Sequence, residues 1–241
     1  MQSPWMSEEL RAIHTHAWDF WLARGSVALI AILQLFMVNR LGLGPRWLAP
    51  TFEIALLIPL SVATAWTQTT VRSAREEHHW RRVARQRRWI RTSALLLTAF
   101  VTAINAASLV SLVDALLAHS ATKTGQTLLI DAVNIWITNV IVFALWYWDM
   151  DRGGPASRGL TDPGQCDFLF PQMALRTEPQ PETWSPGFVD YVYVAFTNAS
   201  AFSPTDTMPL TERAKLLMMA QSAISLLTLA LVAARAVNIL T

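Results

Sequence analysis

Four hydroxyls and a carboxylate crowd one stretch of this chain: Thr197, Ser200, Ser203, Thr205 and Asp206. Hydroxyls and a carboxylate at that density are hard oxygen ligands, and Asp206 biases them toward cations. A short aromatic run, Phe188 to Thr197, leads into this polar knot, and a long apolar run, Ala214 to Leu240, follows it. Short helix, polar turn and long apolar helix is the layout of a pore loop. The same residues also make ordinary structure. Ser203-Pro204-Thr205-Asp206 is good turn chemistry, and Thr211 before Glu212 reads as the N-cap of the last helix, with Pro209 just upstream.

A second group is spread along apolar runs, where an ionisable side chain costs about 2.5–3.5 kcal/mol on insertion scales. Asp114 closes one run and Asp131 opens the next, so a short turn places both at one end. Asp131, Asn134 and Thr138 share a helical face, with Asn105 and Asn139 deeper in the same hairpin. They fit a polar pathway or interhelical hydrogen bonds worth about 0.6 kcal/mol each. On the last helix Gln221, Ser225, Thr228, Val232 and Arg235 follow alternating four- and three-residue spacing and share another face. That stripe suits a wet path or small polar contacts between helices. Arg235, as a cation within a span, calls for a partner in Asp114 or Asp131.

Catalysis and metal binding find little support. His14 and His16 diverge on a helix, and His78 and His79 are adjacent, so neither pair has the four-residue spacing of a helical metal site. No nucleophile elbow or phosphate-binding glycine loop is present. One cysteine, Cys166, excludes an intrachain disulfide framework. The expectation is a protein that is not an enzyme, without cofactor or bound metal.

These residues must be positioned by membrane helices. The chain has 241 residues, 53% of them hydrophobic and 15% charged, against about a quarter charged in soluble domains. The apolar residues form runs near 18–38, 51–71, 92–118 and 127–148, and each meets the roughly 20 residues a span requires. The fold class expected is all-α: a multi-pass bundle of five transmembrane helices, with a short re-entrant or interfacial helix before the last. Residues 1–149 form a four-helix region, 150–186 an extramembrane loop rich in Pro and Gly, and 187–241 the short helix, polar turn and final span. Trp18 and Trp21 sit where interfacial anchors belong, as do Trp146, Tyr147 and Trp148. No signal peptide is apparent before the first run. The connector from Arg72 to Arg91 carries eight arginines. It fits a cytoplasmic loop by the positive-inside rule and contact with anionic lipid headgroups, and not nucleic-acid binding.

The tract from Thr197 through Asp206 to Pro209 resembles, over about fifty residues, the pore loop of the potassium-channel superfamily. That family places Thr at the end of a pore helix, then a glycine-bearing filter, then Asp, Pro and a membrane helix. The filter itself departs from the pattern. Carbonyl-lined filters need glycine to reach positive φ. No glycine follows Phe188 here, and Ser203-Pro204-Thr205 occupies the place of the glycine triplet. Ion coordination would then fall to side-chain oxygens. More broadly, the Trp146-Tyr147-Trp148-Asp149 end and the tract from Asp190 to Asn238 resemble a group of bacterial inner-membrane proteins sharing a domain of unknown function. That resemblance implies a bacterial inner-membrane location and no activity. Placing the arginines inside leaves the polar turn facing the cytoplasm, opposite to a potassium-channel loop. Two functions remain open: a channel- or permease-like protein, whose loop-lined pore would require a homo-oligomer, and a non-transporting scaffold that binds partners through its long loop.

Overall fold

The protein is described by a computed structural model covering residues 17–35, 51, 77–117, 125–154, 166–174, 184–200 and 206–240. Its elements are α1 (Ala17–Leu35), α2 (Glu77–Leu117), α3 (Gly125–Met150) with a closing 3-10 turn (Asp151–Gly153), β1 (Phe168–Leu169), α4 (Pro171–Ala174), α5 (Phe188–Ser200), β2 (Met208–Pro209) and α6 (Glu212–Leu240). Helix dominates, as the long apolar runs require. Among the described residues, four helices are long and apolar enough to cross a membrane, over Trp18–Leu35, Arg91–Leu116, Gln126–Gly153 and Glu212–Ala234. The expected span at 51–71 lies outside the described residues except for Thr51.

Helix α3 is the axis. It packs against α1, α2, α5 and α6, and 72% of its apolar stretch is buried, against 17% for α6. The orientation of α6 is inverted relative to a soluble helix. Its polar residues Gln221, Ser225 and Thr228 are buried, while Leu216, Met219, Leu226 and Leu227 are exposed. Water would favour the reverse arrangement, whereas hydrocarbon tolerates an apolar outer face and rewards polar pairing inside. α3 repeats the pattern, with Asp131, Asn134 and Thr138 buried and Ile130 and Val133 exposed.

Three sequence readings change. The arginine-rich connector is helical from Glu77 onward. α2 is one helix of 41 residues, of which Arg91–Leu116 is the apolar part. Arginine has high helix propensity, so nothing in the run from Arg81 to Arg91 stops the helix. The aromatic cluster ending α3 faces inward: Tyr147 and Trp148 are buried, and Trp146 donates its indole N–H to Thr102 Oγ1 at 2.9 Å. Trp18 and Trp21 do stand exposed, with the Arg24 guanidinium 5.3 Å from the Trp21 ring. Finally, the Pro/Gly-rich loop is not wholly separate from the bundle. Phe168 and Phe170 are buried and meet Tyr191 edge-on at 6.3 and 5.4 Å. β1 pairs antiparallel with β2, Phe168 opposite Pro209 and Leu169 opposite Met208.

A tight turn lets the loop fold back. Arg152 is left-handed (φ 54°, ψ 31°) and Gly154 has φ 89° and ψ 172°, a region open essentially only to glycine. A Cβ on Gly154 would lie 2.8 Å from the Asp149 carbonyl oxygen. Gly154→Ala is therefore expected to cost roughly 1–3 kcal/mol, read as a fall in the thermal midpoint of the purified protein.

Several helix ends meet on one side of the bundle. The N-terminus of α5 rests on α1, where Phe188 N donates to Asp19 Oδ1 at 3.0 Å. A negative group there complements the helix dipole. Gly187 N donates to Asp190 Oδ2 at 2.7 Å, the backward half of a capping box. Gly187 also needs to be small, since an added Cβ would sit 3.0 Å from Asp19 Oδ1. The close of α3, the β1–β2 pair and the start of α6 lie at this same end.

Candidate functional site

Two tiers of buried polar groups join α3, α5 and α6. The upper tier holds the common end together. Asp151 is fully buried and accepts from Asp167 N at 2.7 Å and from the Tyr191 hydroxyl at 2.5 Å. Asp167, equally buried, receives two parallel bonds from Arg213: Nε to Oδ1 at 2.6 Å and Nη2 to Oδ2 at 2.7 Å. Such a fork is the strong form of the pair. The Thr211 hydroxyl also donates to Asp167 Oδ1 at 2.5 Å, and Leu210 N donates to the Asp167 carbonyl at 2.8 Å. Thr211 caps α6 at the same time, accepting from Ala214 N at 3.4 Å, as its place before Glu212 predicts.

The lower tier centres on Gln221, about 14 Å below the start of α6 at the helical rise. Its Oε1 accepts from the Tyr147 hydroxyl at 2.5 Å and from Asn198 Nδ2 at 2.8 Å. Its Nε2 donates to the Ala195 carbonyl at 2.8 Å. Asn139 Nδ2 donates to the Gln221 carbonyl at 3.2 Å and to Ser225 Oγ at 2.7 Å. Phe168 separates the tiers, packed against Tyr147 at 5.1 Å and Tyr191 at 6.3 Å.

These contacts fix the path of the chain around α5. That helix has 13 residues, about 20 Å, too short for a hydrocarbon core of about 30 Å. It starts at the common end beside Asp19. It finishes beside Gln221 and Trp136, near the middle of the apolar stretches of α6 and α3. By Met208 the chain is back at the common end, paired with β1. α5 therefore descends into the bundle and the chain returns to the end it came from. Its last carbonyls, which no helical N–H reaches, are spent on side chains. Ser200 Oγ donates to the Thr197 carbonyl at 3.2 Å, and Trp136 Nε1 to the Ala199 carbonyl at 3.4 Å. Ser222 Oγ donates to the Asn198 carbonyl at 3.5 Å and to its side-chain Oδ1 at 3.1 Å.

The residues singled out from sequence are distributed as follows. Thr197 bonds back to the Tyr193 and Val194 carbonyls at 2.8 and 3.1 Å. Asp206 is exposed at the return of the loop, and Ser203 and Thr205 lie outside the described residues. Asn134 Nδ2 donates to the Leu33 carbonyl of α1 at 2.6 Å. Asp131 is buried, Asp114 is exposed, and the side chain of Arg235 lies outside the description, so its pairing is undescribed. Gln221 and Ser225 meet Asn139 in the bundle, while Thr228, buried on the same face, bonds back to the Ile224 carbonyl at 2.8 Å. Among the described residues, no three His, Cys, Asp or Glu side chains converge to hold a metal ion.

Sequence reasoning did not find Asp151, Asp167, Tyr191, Arg213 or the roles of Tyr147 and Asn198. Asp167 and Arg213 are 46 residues apart, and no periodicity links a loop carboxylate to a helix start. Arg213 following a capping Thr is the one local hint. On α3 two buried amide oxygens, Asn134 Oδ1 and Asn139 Oδ1, have no hydrogen-bond partner among the described residues. Both lie well inside α3. In comparisons with known proteins, no family model, curated protein or solved structure matches the chain.

Proposed function

We propose that this is a multi-pass membrane protein of the channel or permease type, passing a small cation along the seam between α3, α5 and α6. The observation that carries this reading is the half-length helix α5, whose end lies at mid-depth among Asn139, Asn198, Gln221 and Ser225. Transporters build substrate and ion sites near the midplane from interrupted helices of this kind. At the seam itself Asn139 Oδ1 is buried without a hydrogen-bond partner, an oxygen open to a donor or a cation. The polar groups converge within one copy, so this route does not need the ring of copies that a loop-lined pore would. The basic run of α2 favours a cytoplasmic common end, and the bacterial inner-membrane resemblance supplies the location.

One observation favours the scaffold reading instead. The terminal carbonyls of α5 are already satisfied by Ser200 and Trp136, as in a structural joint. Reconstituted vesicles separate the two. Under imposed Na+, K+ and H+ gradients, the protein is expected to dissipate at least one, and Asn139→Leu to slow that flux at least tenfold while the protein still folds. Silence under all three gradients would leave the scaffold.

A further inference from the structure

Arg91 opens the apolar stretch of α2. Its neighbour two residues earlier, Trp89, is exposed, as befits a side chain at a membrane interface. The Arg91 Nε is buried and meets no hydrogen-bond acceptor, and among the described residues no ion pair reaches the guanidinium. A buried N–H donor left without an acceptor is costly. The guanidinium lies against the backbone at Gly154, 3.7 Å from where a Cβ would stand. A residue with any side chain would narrow this approach. Asp149, whose carbonyl faces the same glycine, is buried and has an interaction of its own.

The missing partner is thus an oxyanion at headgroup depth. Arginine forks match phosphate geometry with two parallel N–H bonds. The stretch of α2 that leads into Arg91 is basic in sequence, with Arg81, Arg82, Arg85, Arg87 and Arg88 preceding it on the same helix. That field repels the ammonium of a zwitterionic headgroup and favours a lipid with net negative charge. We infer that Arg91, set against the bare backbone of Gly154, holds the phosphodiester of one anionic glycerophospholipid at the common end of the bundle. The inference rests on α2 crossing a membrane and is independent of whether the seam conducts.

The test uses the full chain, purified in detergent and exchanged into nanodiscs of phosphatidylglycerol or phosphatidylethanolamine. About one equivalent of phosphatidylglycerol should survive delipidation, detected by native mass spectrometry. Arg91→Gln should lose it at least tenfold more readily, Arg91→Lys should retain it in part, and Arg81→Gln with Arg82→Gln should weaken retention no more than about twofold. Thermal stabilisation by phosphatidylglycerol over phosphatidylethanolamine should fall in parallel. Equal retention by Arg91→Gln and wild type would overturn the assignment. So would equal stabilisation by inorganic phosphate in detergent alone, which would identify a free anion instead of a lipid. Phosphatidylglycerol retained through Arg91 by a protein that proves silent in flux assays would support the lipid site while sinking the transport reading.

Discussion

Arg213→Ala should destabilise the protein by about 3 kcal/mol, and adding Asp167→Asn in the same chain should recover part of that loss. The asymmetry follows from burial. The Arg213 side chain is 55% exposed, while Asp167 is at 0%. Removing the arginine strands a carboxylate that water cannot reach, and breaking one side of a buried pair typically costs about 3–5 kcal/mol. Partial exposure of the guanidinium argues for the lower end, since water can approach its place. With Asp167→Asn the stranded charge is gone, and the Thr211 hydroxyl still finds an amide oxygen. Chemical or thermal unfolding of the two variants measures the difference. If Arg213→Ala alone is neutral, the pair behaves as a solvated surface contact, and the loop is held by Phe168 and Phe170 instead.

Gln221→Leu is expected to cost about 2 kcal/mol. The substitution keeps volume and adds apolarity, which in a lipid-facing helix would be harmless. Here it removes three interhelical hydrogen bonds, to Tyr147, Asn198 and Ala195. Each is worth about 0.6 kcal/mol on average in membrane bundles. Ser225→Ala, which loses only its contact with Asn139, should cost well under half as much. The same unfolding measurement compares them. Equal, small losses for both would mean that α5 is held by its apolar face alone, through Tyr191, Val194 and Ala195.

Much of the helical frame is legible in the sequence because hydrophobic runs of membrane length have few other uses. The stripe from Gln221 to Thr228 is legible too, since four- and three-residue spacing defines one face whatever that face meets. What the stripe meets is not legible. Wet path and polar packing require the same residues, and only the partners Asn139, Tyr147 and Asn198 show how the hydrogen bonds are spent. Tyr147 illustrates the limit. Placed at the end of an apolar run between two tryptophans, it fits an interfacial belt, yet its ring is fully buried because α5 and Phe168 cover that side of α3. Nothing near Tyr147 in sequence encodes that cover. The same holds for Asp167, which stands among turn-forming residues and is recruited into the bundle by an arginine far along the chain.

The short length of α5 carries a consequence for how the protein is made. Membrane insertion recognises segments by hydrophobic length, and a helix of about 20 Å with Asp190 in its first turn and Asn198 near its end falls short of that standard. If the long helices cross a membrane as proposed, α5 docks only after they have done so. Until it does, Gln221 on the newly inserted α6 has neither Ala195 nor Asn198 to bind. The final stage of biogenesis is then the docking of an internal segment, and the Asp167–Arg213 fork is the clasp that closes behind it.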